Sequence, residues 1–224
     1  MMKAIGLDAR KGGWVAVSLV HGSFYSAEAV TDLADFLHSN GEAAAVAIDI
    51  PIGLPDSGRR AADIEAKLYL VKRRNSVFLT PPRASIEAPK YPEAVTLCKK
   101  LAGYGLSRQS YGLRMKIMEV DKLVGNQPNL YEAHPEVSFT AMAGHPMNHA
   151  KKSWNGTAER LKALSSVGIE LPFVQLGSGN AGVDDVIDAA AVAWTADRKG
   201  RGEAQTLPAE PPLQYEGRPV AIWY

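Results

Sequence analysis

The sequence predicts an α/β fold in which three antiparallel strands lead into parallel ones within a mixed sheet, flanked by helices, with a helical insertion over 57–125. Three observations predict it. β-Type runs joined by tight turns fill the first thirty residues, a continuous apolar run at 44–50 follows the first helical segment, and an alanine-rich helix with an acidic start lies at 184–199. The 224 residues, 46% of them hydrophobic, are enough for a substantial core and are expected to form one globular unit over 1–224.

In chain order, residues 3–9 read as the first strand, Arg10-Lys11-Gly12-Gly13 as a tight turn, and 14–20 as the antiparallel partner. His21-Gly22-Ser23 turns the chain into a third strand near 24–30. Thr31 is placed to cap a helix over 32–39 whose apolar face carries Leu33, Phe36 and Leu37, and 44–50 returns as a parallel strand buried on both faces. Pro51 and Pro55 lack the amide a ladder needs and Gly53 permits a bend, so the chain leaves the sheet after Asp49. Helix is expected over 59–74, an irregular proline-rich stretch over 75–92, and helices over 93–102 and about 107–125. Residues 130–136 read as a short strand breaking at Pro135 into a helix through Met142. Helices at about 155–168 and 184–199 follow, and 218–224 forms an edge strand.

Composition narrows the function. A net charge of +1 lacks the global basicity of a non-specific nucleic-acid coat, while leaving a local groove open. Seven cations lie between 59 and 83 (Arg59, Arg60, Lys67, Lys72, Arg73, Arg74, Arg83) against Asp63 and Glu65, which suits either a solvated helix face or such a groove. The single cysteine, Cys98, excludes an internal disulfide and a cysteine-rich zinc site. The first residues enter a strand without a basic-then-apolar leader, and no apolar run approaches ~20 residues. Neither secretion nor a membrane span is expected, and the cytoplasm is the expected location.

The last long helix begins Gly182-Val183-Asp184-Asp185-Val186-Ile187-Asp188. Asp184 reads as its N-cap and Asp185 as a first-turn charge facing the positive end of the helix dipole. Asp188 has no such local reason and shares a face with Asp185. Two more aspartates, Asp8 and Asp49, end β-type runs. Carboxylates gathered at strand ends beside a helix most simply serve a divalent cation, although a lone aspartate there often only bonds turn amides.

This layout of strands and aspartates resembles the RNase H-like superfamily. A longer resemblance runs through Ala47-Ile48-Asp49-Ile50-Pro51-Ile52-Gly53-Leu54-Pro55, Ser76-Val77-Phe78, Ser107-Arg108-Gln109, Lys116-Ile117-Met118-Glu119-Val120-Asp121, Tyr131-Glu132-Ala133-His134-Pro135-Glu136-Val137-Ser138-Phe139 and Asp184-Asp185-Val186-Ile187-Asp188-Ala189. These pieces are similar to a bacterial and archaeal family described as predicted RNase H-like nucleases. The resemblance implies that the first and fourth strands are neighbours, that Asp8, Asp49, Asp185 and Asp188 ligate Mg²⁺ or Mn²⁺, two ions in all, and that the substrate is nucleic acid. Such chemistry holds its ions about 4 Å apart, one activating water and the other stabilising the leaving oxygen; Asp8 is the natural bridging ligand.

Glu132 and His134 project to one side of an extended segment by the period-two rule, which suits a ligand paired with a general acid or water-orienting imidazole. Alternatively His134 fixes the strand-to-helix corner, with Glu136 a dipole partner in the first turn. Arg10 and Lys11 follow Asp8 directly, and Arg83, Arg108 and Lys116 border segments that otherwise read as buried; these five are the candidate phosphate contacts. Lys151 and Arg160 lie near resembling segments too.

Two rival readings stay open. An actin-like phosphotransferase or ATPase shares this sheet, but wants a hydroxyl beside glycine after the first aspartate, where Ala9-Arg10-Lys11-Gly12-Gly13 has none, and needs a longer chain. A non-catalytic metal- or nucleic-acid-binding domain would use the same carboxylates.

Overall fold

The computed structural model describes residues 2–172, 176–214 and 217–224. Strands β1 (Lys3–Arg10), β2 (Gly13–Val20) and β3 (Ser23–Val30) form an antiparallel meander; α1 (Leu33–Ser39) then crosses to β4 (Ala45–Ile48). Helices α2 (Ala61–Leu70), α3 (Arg83–Glu87), α4 (Tyr91–Ala102), α5 (Arg108–Gly112) and α6 (Arg114–Leu123) lie between β4 and β5 (Leu130–Glu132). α7 (Pro135–Ala143), α8 (Trp154–Ser166) and α9 (Val183–Gly200) follow. The five strands make one mixed sheet in the order β3-β2-β1-β4-β5, with β4 parallel to both β1 and β5.

Several boundaries differ from the sequence reading for local reasons. Asp32, not Thr31, caps α1, its carboxylate accepting from the Asp35 N–H at 3.0 Å. The expected helix at 59–74 becomes α2 followed by a 3₁₀ turn at Val71–Ser76, and the irregular stretch contains α3. The expected helix at 107–125 divides at Leu113, just after Gly112, a poor helix former. Gly182, extended at φ −63° and ψ 154°, is the N-cap of α9, so Asp184 sits two residues past the cap, within the first turn. Asp185 reaches back instead, its carboxylate accepting from the Gly182 N–H at 3.0 Å. The expected edge strand at 218–224 is two short pieces, Arg218–Pro219 and Ile222–Trp223, paired with Leu213–Gln214 and Thr206–Leu207 in two-stranded ribbons; a single bridge joins Trp223 to Ala133 beside β5.

Strand alternation divides the core. Ile5, Leu7, Trp14, Ala16, Val46 and Ile48 face one layer with α1 and α6, while Val15, Val17, Leu19, Ala4, Ala45 and Ala47 face α9. Small residues on the second face let α9 come close. A Cβ on Gly6 would stand 2.1 Å from the Ala189 oxygen and 2.2 Å from the Ala193 nitrogen, both backbone atoms that cannot turn away. Gly6→Ala should therefore cost about 3 kcal/mol, at the upper end of overpacking losses, as a lowered urea midpoint; an unchanged midpoint would disprove the close contact.

Candidate functional site

The packing that requires Gly6 also gathers the aspartates. Ala4 clusters with Val192 and Ala196, and Gly6 lies against Ala189 and Ala193, so each two-residue step along β1 moves about one turn back along α9. The next inward residue, Asp8, thus meets the first turns of the helix, where Asp185 and Asp188 stand. Leu7 pairs with Ile48, and the Asp49 N–H continues that ladder to the Leu7 oxygen at 2.9 Å. Asp49 is therefore the register neighbour of Asp8, with the parity of Ala45 and Ala47 that faces α9.

Together they line a cleft of about 360 Å³ beside the carboxyl ends of β4 and β5, where open α/β sheets bind ligands. Asp8, Asp49, Asp185 and Asp188 share it with His134, Glu136, Lys151, Asn75, Gln109 and Phe78. Asp8 is 6% exposed, and among the described residues no hydrogen-bond donor or ion-pair partner reaches its carboxylate. Burial, then repulsion by Asp49, Asp188 and Asp185, raises its pKa well above the ordinary 3.8, with Lys151 opposing. Asp188 is pushed up to about 6, chiefly by burial and further by Asp49 and Glu136, although Lys151 donates to its Oδ2 at 2.6 Å.

Lys151 belongs to a braced loop. Glu159 accepts from the backbone N–H groups of Asn148 (2.8 and 3.0 Å) and His149 (3.0 Å), and Arg160 donates to the His149 oxygen at 3.3 Å. Gly156 leaves room for the Ala150 oxygen, which a Cβ would meet at 1.9 Å. Burial pulls the Lys151 pKa down, but Asp188, with Asp8 and Asp49 behind it, more than reverses this and holds the ammonium charged. The same Arg160 pairs with Oε1 of buried Glu136, leaving Glu136 Oε2 without a partner among the described residues.

The other expected residues separate. Glu132 pairs in register with Ile48 and so turns to the face opposite Ala47. There Arg60 donates to both its oxygens, at 2.7 and 2.8 Å, and the Ile52 N–H adds a third bond at 2.6 Å. Asp63 joins through Arg60 (2.5 Å) and the Thr80 N–H (2.6 Å), completing a buried network outside the acidic cleft. His134 lines the cleft but also caps α7: Nδ1 accepts from the Glu136 N–H at 3.2 Å, which leaves the ring proton on Nε2, facing the Ser76 oxygen at 3.4 Å. None of the five expected phosphate contacts lines the cleft. Arg10 donates to the Trp14 oxygen at 3.1 Å, and Lys11 is exposed in the hairpin turn. Arg83 grips Asp121 with two bonds at 2.5 and 2.9 Å. Arg108 lies over Tyr91, and Lys116 lies over Trp14 and 3.2 Å from Glu119. The cation that does enter is Lys151, and the side-chain amides are those of Asn75 and Gln109; Gln109 falls in the resembling segment Ser107-Arg108-Gln109 and Lys151 lies near another such segment, while nothing local in the sequence marks Asn75.

The donor set is hard oxygen, with one buried carboxylate lacking any donor and an orphan oxygen on Glu136, which is the chemistry of magnesium or manganese ligands. Among the described residues no three His, Cys, Asp or Glu side chains gather tightly enough to enclose an ion by themselves. Magnesium acting on phosphates needs only one or two carboxylates, with water and substrate oxygens completing its sphere.

Both Asp8 and Asp188 bind their protons more tightly in the folded chain than in an unfolded one. Their contribution to stability is complete below about pH 4 and is lost as pH rises, through about 6 for Asp188, with the Asp8 transition likewise displaced upward from the ordinary carboxylate range. In EDTA the stability advantage of Asp8→Asn over the wild type should therefore widen as pH rises above about 4 in urea melts. A pH-independent difference would show that the carboxylates do not repel.

Sheet and cleft define a class, a mixed α/β protein whose five-stranded sheet carries an acidic cleft at the carboxyl ends of its parallel strands. Within it, the chain belongs to the family described as Protein of unknown function (DUF429), whose model matches residues 6–213. No curated protein and no solved structure matches the chain. No helix among the described residues is long and apolar enough to cross a membrane.

Proposed function

We propose that the chain is an RNase H-like, metal-dependent nuclease, a single cytoplasmic domain with residues 57–125 inserted between β4 and β5. The observation that carries this reading is the convergence of Asp8, Asp49, Asp185 and Asp188 on one cleft in which the buried Asp8 carboxylate has no compensating donor. A carboxylate kept at such a cost is a sign of function. Asp8 and Asp49 from the sheet and Asp185 and Asp188 from α9 would hold Mg²⁺ or Mn²⁺. When bound, two such ions supply an activated water and charge stabilisation at the leaving oxygen of a phosphodiester.

The chain's own groups do the rest. Lys151 stands on Asp188 as the cation nearest an incoming phosphate, and Asn75 and Gln109 bring neutral donors for phosphate or sugar oxygens. His134 is held by its capping bond with Nε2 as the donor. The Lys151–Asp188 pair also suits the second reading, a domain that binds nucleic acid without cutting it, because the ammonium already occupies one carboxylate. Incubation of the purified protein with Mn²⁺ and end-labelled DNA and RNA, single- and double-stranded, decides between them. Cleavage that EDTA and Asp8→Asn both abolish supports the nuclease. Bound but intact substrate leaves the binding domain, and ATP hydrolysis would point to a phosphotransferase instead.

A further inference from the structure

The chain has four tryptophans, and three of them are engaged. Trp14 is buried beneath Lys116, Trp194 is buried beside Arg198, and Trp223 packs on Tyr131 and Lys199. Trp154 is different. Its side chain is 84% exposed, and among the described residues no ring or cation packs against it. Tryptophan has more apolar area to bury than any other side chain, so an indole left in water contributes little to this fold.

Its mount is rigid. Trp154 opens α8 directly after Ser153, whose hydroxyl caps the helix by accepting from the Gly156 N–H at 3.1 Å, and Gly156 is locked against Ala150. Three residues earlier Lys151 lines the acidic cleft, which holds the two Cα atoms within about 11 Å of each other. Between them lies Lys152, its side chain 81% exposed and its ammonium 3.9 Å from Asp184. Cleft-lining Lys151, exposed Lys152 and the free aromatic face of Trp154 thus follow one another along a short stretch of chain.

We infer that Trp154 is a stacking platform for a base of single-stranded nucleic acid, with Lys152 meeting the adjacent phosphate as the strand enters the cleft. This rests on the nuclease reading and names its substrate class: an unpaired strand offers a base face to an indole, whereas duplex stacking hides it. Surface cations alone would serve either form; the exposed indole selects the single strand.

The test uses the full chain in EDTA, so that binding is read without cleavage. Fluorescence anisotropy with labelled oligo-dT and oligo-U is compared with a duplex of equal length, for wild type, Trp154→Ala and Trp154→Phe, with thermal melts to verify folding. Stacking predicts single-strand binding weakened about 5- to 150-fold in Trp154→Ala, largely restored in Trp154→Phe, and preferred over duplex in the wild type. Part of the indole emission should also be quenched by oligo-dT in the wild type and not in Trp154→Phe. Equal binding by wild type and Trp154→Ala, no single-strand binding by the wild type, or equal affinity for duplex would overturn the proposal. Its failure and that of the nuclease reading are separable: binding that depends on Trp154 without Mn²⁺-dependent cleavage removes the nuclease alone, and Asp8-dependent cleavage indifferent to Trp154 removes the platform alone.

Discussion

Asp8→Asn should abolish cleavage while making the metal-free protein more stable. Asparagine keeps the shape of aspartate and removes the charge that burial, Asp49, Asp188 and Asp185 all oppose. Relief of such a site is worth about 0.5–2 kcal/mol, or roughly 1–8 °C in melting temperature for a chain of this length. Activity should fall more than about a hundredfold, since removing even an outer-shell partner of a metal site costs 10- to 100-fold. Mn²⁺ should stabilise the wild type, by about 2.7 kcal/mol at a hundred times its dissociation constant, and should have far less effect on Asp8→Asn. A variant less stable than wild type in EDTA would mean that Asp8 is a satisfied structural residue, and undiminished cleavage would remove it from the chemistry.

The largest loss of stability should come from Arg60→Ala. That guanidinium answers Glu132 and Asp63 together and also donates to the Ile52 oxygen at 2.9 Å. Arg60 and both carboxylates are buried, so truncation strands two negative charges where water cannot reach them. Breaking a buried pair in this way costs about 3–5 kcal/mol, or roughly 10 °C here. Glu132 is already raised, by burial first, with Arg60 as its main counterweight, so the variant should recover part of its stability at lower pH as Glu132 takes up a proton. Glu132→Gln should cost less than Arg60→Ala and leave the cleavage rate per folded molecule close to wild type. A melting temperature unmoved by Arg60→Ala would contradict the network, and a Glu132→Gln protein that folds normally but does not cut would return Glu132 to the catalytic set.

Much of this was legible in the chain. Period-two alternation and tight turns marked the first three strands within a residue or two, and the apolar run at 44–50 marked β4 because a strand buried on both faces needs no polar side. The aspartates stood out because Asp188 has no local use. Less visible were the cleft's other members. Asn75, Gln109 and Lys151 come from a 3₁₀ turn, a five-residue helix and a loop, segments too short to carry a periodic signal. Glu132 was paired with His134 by strand parity, which is correct along one strand and silent about which face meets which neighbour.

Local signals in the chain carried the order of the sheet strands and longer helices, the alanine-rich face of α9 and the set of acidic residues in want of a partner. These follow from local backbone preference and hydrophobic spacing, which act over a few residues. Packing between distant segments is what sets Asp8 in register with Asp49, turns Glu132 the other way toward Arg60, and brings Lys151 rather than Arg83, Arg108 or Lys116 into the cleft. Register and facing are set by contacts between segments tens of residues apart, such as Gly6 against α9, whose energies exist only once the chain has closed on itself.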